Sequence, residues 1–231
     1  MQNTARHPKI MVSDDGSGIV SQAGALLLAQ TARMTGLGAG LSTGLARWRR
    51  PRAAHDPGKA VLDLAVAVAL GGDCLADVGV LRAEPELFGP VASDPVISRL
   101  VTALAGDAPR ALKAIRRARA GARQRAWALA GNAAPGSDGG QILVDIDATI
   151  VTSCSEKEKA APTWKKTFGF HPLTVFADYG PEGSGEPLAI MLRPGRPPSR
   201  RAVIWARYGS SVAVYASIVL LLLLLLWVGP Q

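Results

Sequence analysis

Residues 141–152 read QILVDIDATIVT, where two carboxylates, Asp145 and Asp147, interrupt an otherwise apolar run. Their period-2 spacing puts both side chains on one face of a strand. An ionised carboxylate in such a run calls for a partner, because burying it alone is costly or shifts its pKa. A hard divalent cation such as Mg²⁺ is one partner that fits, since it prefers oxygen ligands. Two such ions about 3.5–4 Å apart activate a water and stabilise the leaving oxygen in phosphodiester chemistry. That chemistry also needs a third carboxylate from elsewhere in the chain. The plain alternative is a solvated strand face that holds nothing.

Basic side chains are the second chemical resource. The stretch PRALKAIRRARAGARQRAWALAG places Leu112 and Ile115 on one side of a helix. Lys113, Arg116, Arg117, Arg119, Arg123 and Arg125 crowd much of the rest. Of these, Lys113, Arg116 and Arg117 are candidates for phosphate contacts, which would make binding salt-dependent. The alternative is a solvated face. Upstream, DCLADVGVLRAEPELFG followed by SDPVISRLVTALAG has helix–turn–helix character. Ser98 and Arg99 then lie on the second helix, where short polar or basic side chains reach base edges. An ordinary helical bundle explains the same pattern, and the turn is long for a strict motif. Lys165 and Lys166, in the connector SEKEKAAPTWKKT, are further DNA candidates beside the acidic strand. Trp127 is read as a core anchor and His171 as a structural residue of the second strand. Cys154 has no evident base partner.

The elements that must position these groups divide by composition. Residues 1–56 form a leader and a first helix from about Ser21 to Met34. The stretch TGLGAGLSTG that follows reads as a helix cap and loop; it is not a phosphate-binding P-loop, since no Lys-Ser/Thr follows its last glycine. Residues 57–131 read as all helical. KAVLDLAVAVALG is an apolar helix stopped by Gly71-Gly72, too short to span a bilayer. A second helix ends near Pro85. A third starts at Ser93-Asp94-Pro95, with Pro95 in the first turn and Val96, Leu100 and Leu104 on one face. NAAPGSDGG is a linker. Three strand-like runs follow, QILVDIDATIVT, FGFHPLTVFAD and EPLAIMLRPG, in the pattern of an antiparallel meander. The fold class expected is α+β.

Net charge is +8 with a pI near 10, which favours an anionic partner. The charge is unevenly spread: residues 132–195 hold 5 basic and 8 acidic side chains, whereas residues 1–59 hold 8 and 3. The two cysteines form no CxxC, so no zinc framework is implied, and both are read as reduced. No signal peptide is visible at the N-terminus, and the location expected is cytoplasmic.

The run DIDATIVTSCSEKEKAAPTWKKTFGFHPLTVFAD, with PEGSGEPLAIMLRPG, resembles the IS1380-type family of bacterial DDE transposases. HDPGKAVLDLAVAVALGGDCLADVGVLRAEPELFGPVASDPVISRL is similar to that family's N-terminal region. The resemblance runs from about residue 10 to Gly195. It implies a ribonuclease-H-like core and Mg²⁺-dependent cutting and joining of DNA ends. The DNA would be the element's terminal inverted repeats, with self-association on paired ends. The first catalytic aspartate of such a core lies on the first strand, here Asp147, with Asp145 the runner-up; both are candidate metal ligands, and alternation leaves the choice open.

The family's second aspartate and its glutamate lie well beyond the third strand, whereas residues 196–231 contain no Asp and no Glu. The expectation is therefore a transposase fragment whose frame departs after about Gly195, inactive alone. Its residues 141–195 would be an incomplete core, and its first strand would show an unpaired edge with exposed apolar residues. A non-catalytic DNA-binding fragment is a second reading. The tail supplies a third: residues 212–228 carry no charge and follow Arg200, Arg201 and Arg207, as in a C-terminal hydrophobic helix anchored in a membrane.

Overall fold

The computed structural model describes residues 24–136, 141–153, 160–179 and 185–195. The expected leader, Cys154, the Glu156–Lys159 loop and the tail with its candidate span at 212–228 lie outside the described residues. Among the described residues no helix is long and apolar enough to cross a membrane. The described chain is α+β, with helices first and two small antiparallel sheets after them.

Seven α-helices build the first part: α1 (Ala25–Met34), α2 (Leu37–Leu45), α3 (Pro57–Ala69), α4 (Val78–Arg82), α5 (Pro85–Phe88), α6 (Asp94–Gly106) and α7 (Ala108–Ala130). The existence of α2 corrects the sequence reading of TGLGAGLSTG as a loop. Gly36 does end α1 in the left-handed conformation, with φ 73°. Beyond it, however, Leu37, Leu41 and Leu45 recur at helical spacing and are fully buried. The glycines between them serve close packing instead of a turn. A Cβ on Gly40 would sit 3.3 Å from the Ala118 methyl, and one on Gly44 3.4 Å from that of Ala114. The small residues thus bring α2 and α7 close together, and tertiary packing overrides the low helix propensity of glycine.

The α3 helix is buried on all sides from Pro57 to Ala67. Asp56 caps it by accepting from the Lys59 backbone N–H at 2.8 Å, and Pro57 occupies the first helical position. The Ser42 hydroxyl donates to the same Asp56 oxygen at 2.7 Å, which ties α2 to the start of α3. One core therefore joins both sides of residue 56, with Leu37 and Leu41 meeting Leu62, Val66, Leu81, Phe88, Ile97, Leu104 and Ile115. Inside it lies an ion pair, Lys59 Nζ to Asp63 Oδ2 at 2.7 Å, with both side chains nearly inaccessible. Burial pushes the Asp63 carboxyl up to about 6 against the opposing pull of Lys59.

The expected second helix is α4, which ends at Arg82 just short of Pro85, and Pro85 starts a separate short helix, α5. The α6 helix begins as expected, but its buried face is Ile97, Val101, Leu104 and Ala105; Val96 and Leu100 pack at its margin.

Six strands follow: β1 (Leu143–Ala148), β2 (Val151–Thr152), β3 (Ala161–Pro162), β4 (Phe168–Phe170), β5 (Leu173–Asp178) and β6 (Glu186–Met191). The first two strand-like runs are each split, at Thr149-Ile150 and at His171-Pro172, so the chain passes from one sheet to another. The larger sheet has the order β1-β5-β6 and the smaller β2-β4-β3, all pairs antiparallel. The three runs are therefore neighbours in chain order, as a meander requires. The β1 strand lies at the edge of its sheet. Leu143, Val144 and Ile146 on it are 57–63% exposed. An open edge and an uncovered apolar face thus coincide on the strand that carries the aspartates.

Candidate carboxylate site and nucleic-acid interface

Register fixes the acid face of β1. Asp145 pairs with Phe176 and Asp147 with Thr174 on β5, so these four side chains share one face with Leu143 and its partner Asp178. Val144, Ile146 and Ala148 point the other way. Both aspartates are exposed, so the cost of burial that suggested a bound partner does not arise. The Thr149 hydroxyl donates to Asp147 Oδ2 at 2.8 Å and the Thr174 hydroxyl to the Asp147 carbonyl at 3.2 Å. These bonds fix Asp147 at the end of the strand. Asp178, the last residue of β5, accepts from the N–H of Gly185, the residue before β6, at 3.1 Å.

His171 takes the structural part expected of it. Its Nε2 lies 3.3 Å from the Ala148 carbonyl oxygen, its N–H donates to the Arg193 carbonyl, and its own carbonyl accepts from Arg193 Nε at 2.9 Å. Arg193-Pro194-Gly195 thereby clamps the junction between the two sheets. Gly195 approaches so closely that a Cβ there would lie 2.2 Å from the Ala161 carbonyl oxygen.

Asp145 and Asp147 suit a hard divalent cation by donor type, but the set is incomplete. Among the described residues the single group of three possible ligands is Asp73, Cys74 and Asp77, far along the chain. There the Asp77 carboxylate accepts from the backbone N–H groups of Asp73 and Cys74, as a helix cap does. These backbone bonds, Cys74's first, lower the Asp77 pKa. The β1 face thus presents two exposed oxygen donors of the kind a hard cation takes.

The basic residues separate into two sets on opposite sides of α7. One set lines a groove of about 1170 Å³ between α2 and α7, with Gly36, Gly40 and Gly44 as its floor on one side. Arg47, Arg110, Lys113, Arg117 and Arg125 surround it, and among the described residues no acidic side chain lines it. At its end Asp107 lies 3.3 Å from Arg110 and 3.7 Å from Arg47. Lys113 and Arg117 stand on this groove. Arg116 is exposed too, but helical geometry turns it toward the side that carries Arg119 and Arg123.

That second side faces the larger sheet. Arg119 is buried and donates to the Pro187 carbonyl at 3.3 Å. Arg123 Nε lies 2.7 Å from Oε1 of Glu186, a fully buried carboxylate at the start of β6. Trp127 Nε1 donates to Glu186 Oε2 at 3.0 Å, and the Tyr179 hydroxyl to the same oxygen at 3.3 Å. Burial raises the Glu186 pKa, partly offset by the Trp127 hydrogen bond and the Arg123 charge. Burial, with Arg123 and Arg116 nearby, lowers Arg119 to about 10. Trp127 is therefore an anchor of the helix–sheet contact. The sequence reading missed Glu186, and its one signal was an acid opening an apolar run.

Ser98 and Arg99 lie on α6, away from the core face. An Arg82–Asp94 ion pair ties α4 to the first turn of α6, which holds the candidate recognition helix against its predecessor. Lys165 and Lys166 are exposed at the tip of the β3–β4 hairpin. They belong to a different element from both the α2–α7 groove and α6, so the candidate DNA residues fall on three separate parts of the fold.

A family model described as transposase DDE domain group 1 matches residues 2–212. The match covers both the helical part and the sheets, and continues past Gly195. No curated protein and no solved structure gives a significant match.

Proposed function

This chain belongs to the transposase DDE domain group 1 family, and from that premise we propose that it is an IS1380-type transposase fragment that binds the ends of its element in the cytoplasm. Family membership brings DNA, transposition and divalent metal ions with it. Our finer reading makes Asp147 the first catalytic carboxylate, with Asp145 as a second oxygen donor to Mg²⁺. The observation that carries it is the acid face of β1, an antiparallel edge strand with Asp147 fixed by Thr149. A ribonuclease-H-like core starts in this way. We further assign residues 57–131 to DNA binding and residues 141–195 to a partial core.

The edge position of β1 among the described strands agrees with an incomplete core, in which a later strand would pair there. We place the departure from the family after about Gly195 on the sequence alone; the family match itself runs on to residue 212. The chain alone is then a DNA-binding protein that occupies terminal inverted repeats without cutting them.

A mobility-shift titration on the terminal inverted repeats, against unrelated duplexes, tests this reading. Binding is expected to weaken linearly in log–log form with salt. The double substitution Lys113→Ala with Arg117→Ala is expected to reduce that slope by roughly 0.9 for each phosphate no longer neutralised. No cleavage of the repeats is expected with Mg²⁺ added. Equal affinity for unrelated DNA, or a slope untouched by the double substitution, defeats the groove assignment. Cleavage by the chain alone defeats the incomplete core.

A further inference from the structure

The tip of the β3–β4 hairpin carries a feature that duplex binding does not use. Trp164 is 67% exposed, the most exposed large apolar side chain among the described residues. An indole so placed is costly to leave in water. The loop beneath it is held by hydrogen bonds of its own. Thr163 N–H donates to the Thr167 carbonyl at 2.7 Å, Lys166 N–H to the Thr163 carbonyl at 3.1 Å, and the two threonine hydroxyls lie 2.6 Å apart. Lys166 holds a left-handed backbone, with φ 62°, that favours glycine elsewhere. The strand β3 is also seated firmly, through Gly195 against the Ala161 carbonyl.

Two lysines accompany the ring. Lys165 Nζ stands 5.1 Å from the Trp164 ring centroid, within cation–π reach, and Lys166 is exposed next to it. An exposed indole flanked by cations on a fixed turn has the composition of a base-stacking platform. A base pair inside a duplex hides its faces, so the ligand that fits is an unpaired nucleobase with its own phosphate beside the lysines.

We propose that Trp164 stacks on an unpaired nucleobase of DNA, with Lys165 and Lys166 holding the adjoining phosphate. The proposal rests on the DNA-binding reading above but concerns a separate part of the surface. It assigns to the hairpin tip a preference for frayed or single-stranded ends over blunt ones.

The test uses the full chain and two versions of one terminal-repeat duplex, blunt and with an unpaired extension containing a fluorescent purine analogue. The wild-type chain is expected to bind the extended duplex about tenfold more tightly than the blunt one and to quench the analogue. Trp164→Ala is expected to abolish both the preference and the quenching while blunt-duplex affinity stays unchanged. Trp164→Phe keeps most of the preference, because any aromatic face stacks. The proposal is overturned if Trp164→Ala retains the preference and the quenching. If the wild-type chain binds no duplex, the groove reading fails on its own. A single-stranded oligonucleotide of the extension's sequence then decides the matter: weaker binding by Trp164→Ala supports the platform, and equal binding overturns it.

Discussion

Replacing Glu186 by Ala would remove the one carboxylate between two arginines and a tryptophan. In the native protein Glu186 is fully buried, Arg119 is 3% exposed and Arg123 lies 2.7 Å away. Burial penalises its charge, as its raised pKa records, and this offsets much of the attraction within the intact cluster. Truncation is a different matter, because both guanidinium groups stay behind without their counter-charge. Breaking a buried pair in this way costs about 3–5 kcal/mol. For a chain of this size each kcal/mol moves the midpoint by roughly 2–4 °C, so a fall of roughly 6–20 °C is expected. Glu186→Gln keeps an acceptor for the Trp127 N–H and should fall between wild type and Glu186→Ala.

Thermal unfolding followed by circular dichroism reads the effect, and Arg123→Met completes a double-mutant cycle. The sign of the pH dependence follows from the raised pKa. The native state keeps its proton above the ordinary value of 4.5, where the unfolded chain has lost it. This group's contribution to stability therefore falls as pH rises from 4.5 through the raised native value, and Glu186→Gln should remove that fall. A midpoint for Glu186→Ala within about 2 °C of wild type, together with a coupling energy to Arg123 below about 0.5 kcal/mol, would refute the helix–sheet lock.

Two further outcomes concern the helical core. Gly58→Ala should cost upwards of about 3 kcal/mol, since its Cβ would lie 2.2 Å from the Ser42 nitrogen and 2.4 Å from the Leu41 carbonyl carbon. Gly79→Ala, whose Cβ enters open space, should be neutral or stabilising by up to about 1 kcal/mol, and urea titration separates the two. The buried pair of α3 predicts a cycle: Asp63→Leu alone should cost about 3–5 kcal/mol, while Lys59→Met with Asp63→Leu should match or exceed wild type. Asp63 holds its proton to about 6 in the native state against 3.8 in the ordinary case. Its contribution should therefore fall as pH rises between those values, and the double variant should lose that slope.

Much of this was legible from residue spacing. The apolar helix after Pro57, the start of α6 at Ser93 and the order of the three strand runs all follow from capping residues and periodicity. The face of β1 was legible too, because strand alternation is strict. The glycine-rich α2 was not, since its signal was the spacing of Gly36, Gly40 and Gly44 against Leu37, Leu41 and Leu45, and two periodicities were overlaid. Long-range pairing was also hidden. Nothing local says that Arg119 and Arg123 turn inward to Glu186 and Pro187 while Lys113 and Arg117 turn out to a groove. A helical wheel shows two basic sides, and only the sheet's position tells which side it covers.

The α7 helix belongs to both halves of the molecule. Its 23 residues make a rod about 34 Å long, comparable with one turn of B-form DNA. One flank lines the groove and the opposite flank is bolted to β6, two strands away from Asp147. Whatever sits in the groove is thus held at a set span from the carboxylate strand, by a helix that bends little and not by a linker that swings. A ruler of this kind fixes where anything seated in the groove stands relative to that strand. Lengthening it by one residue would turn the far flank by about 100° and carry the groove out of line with the strand.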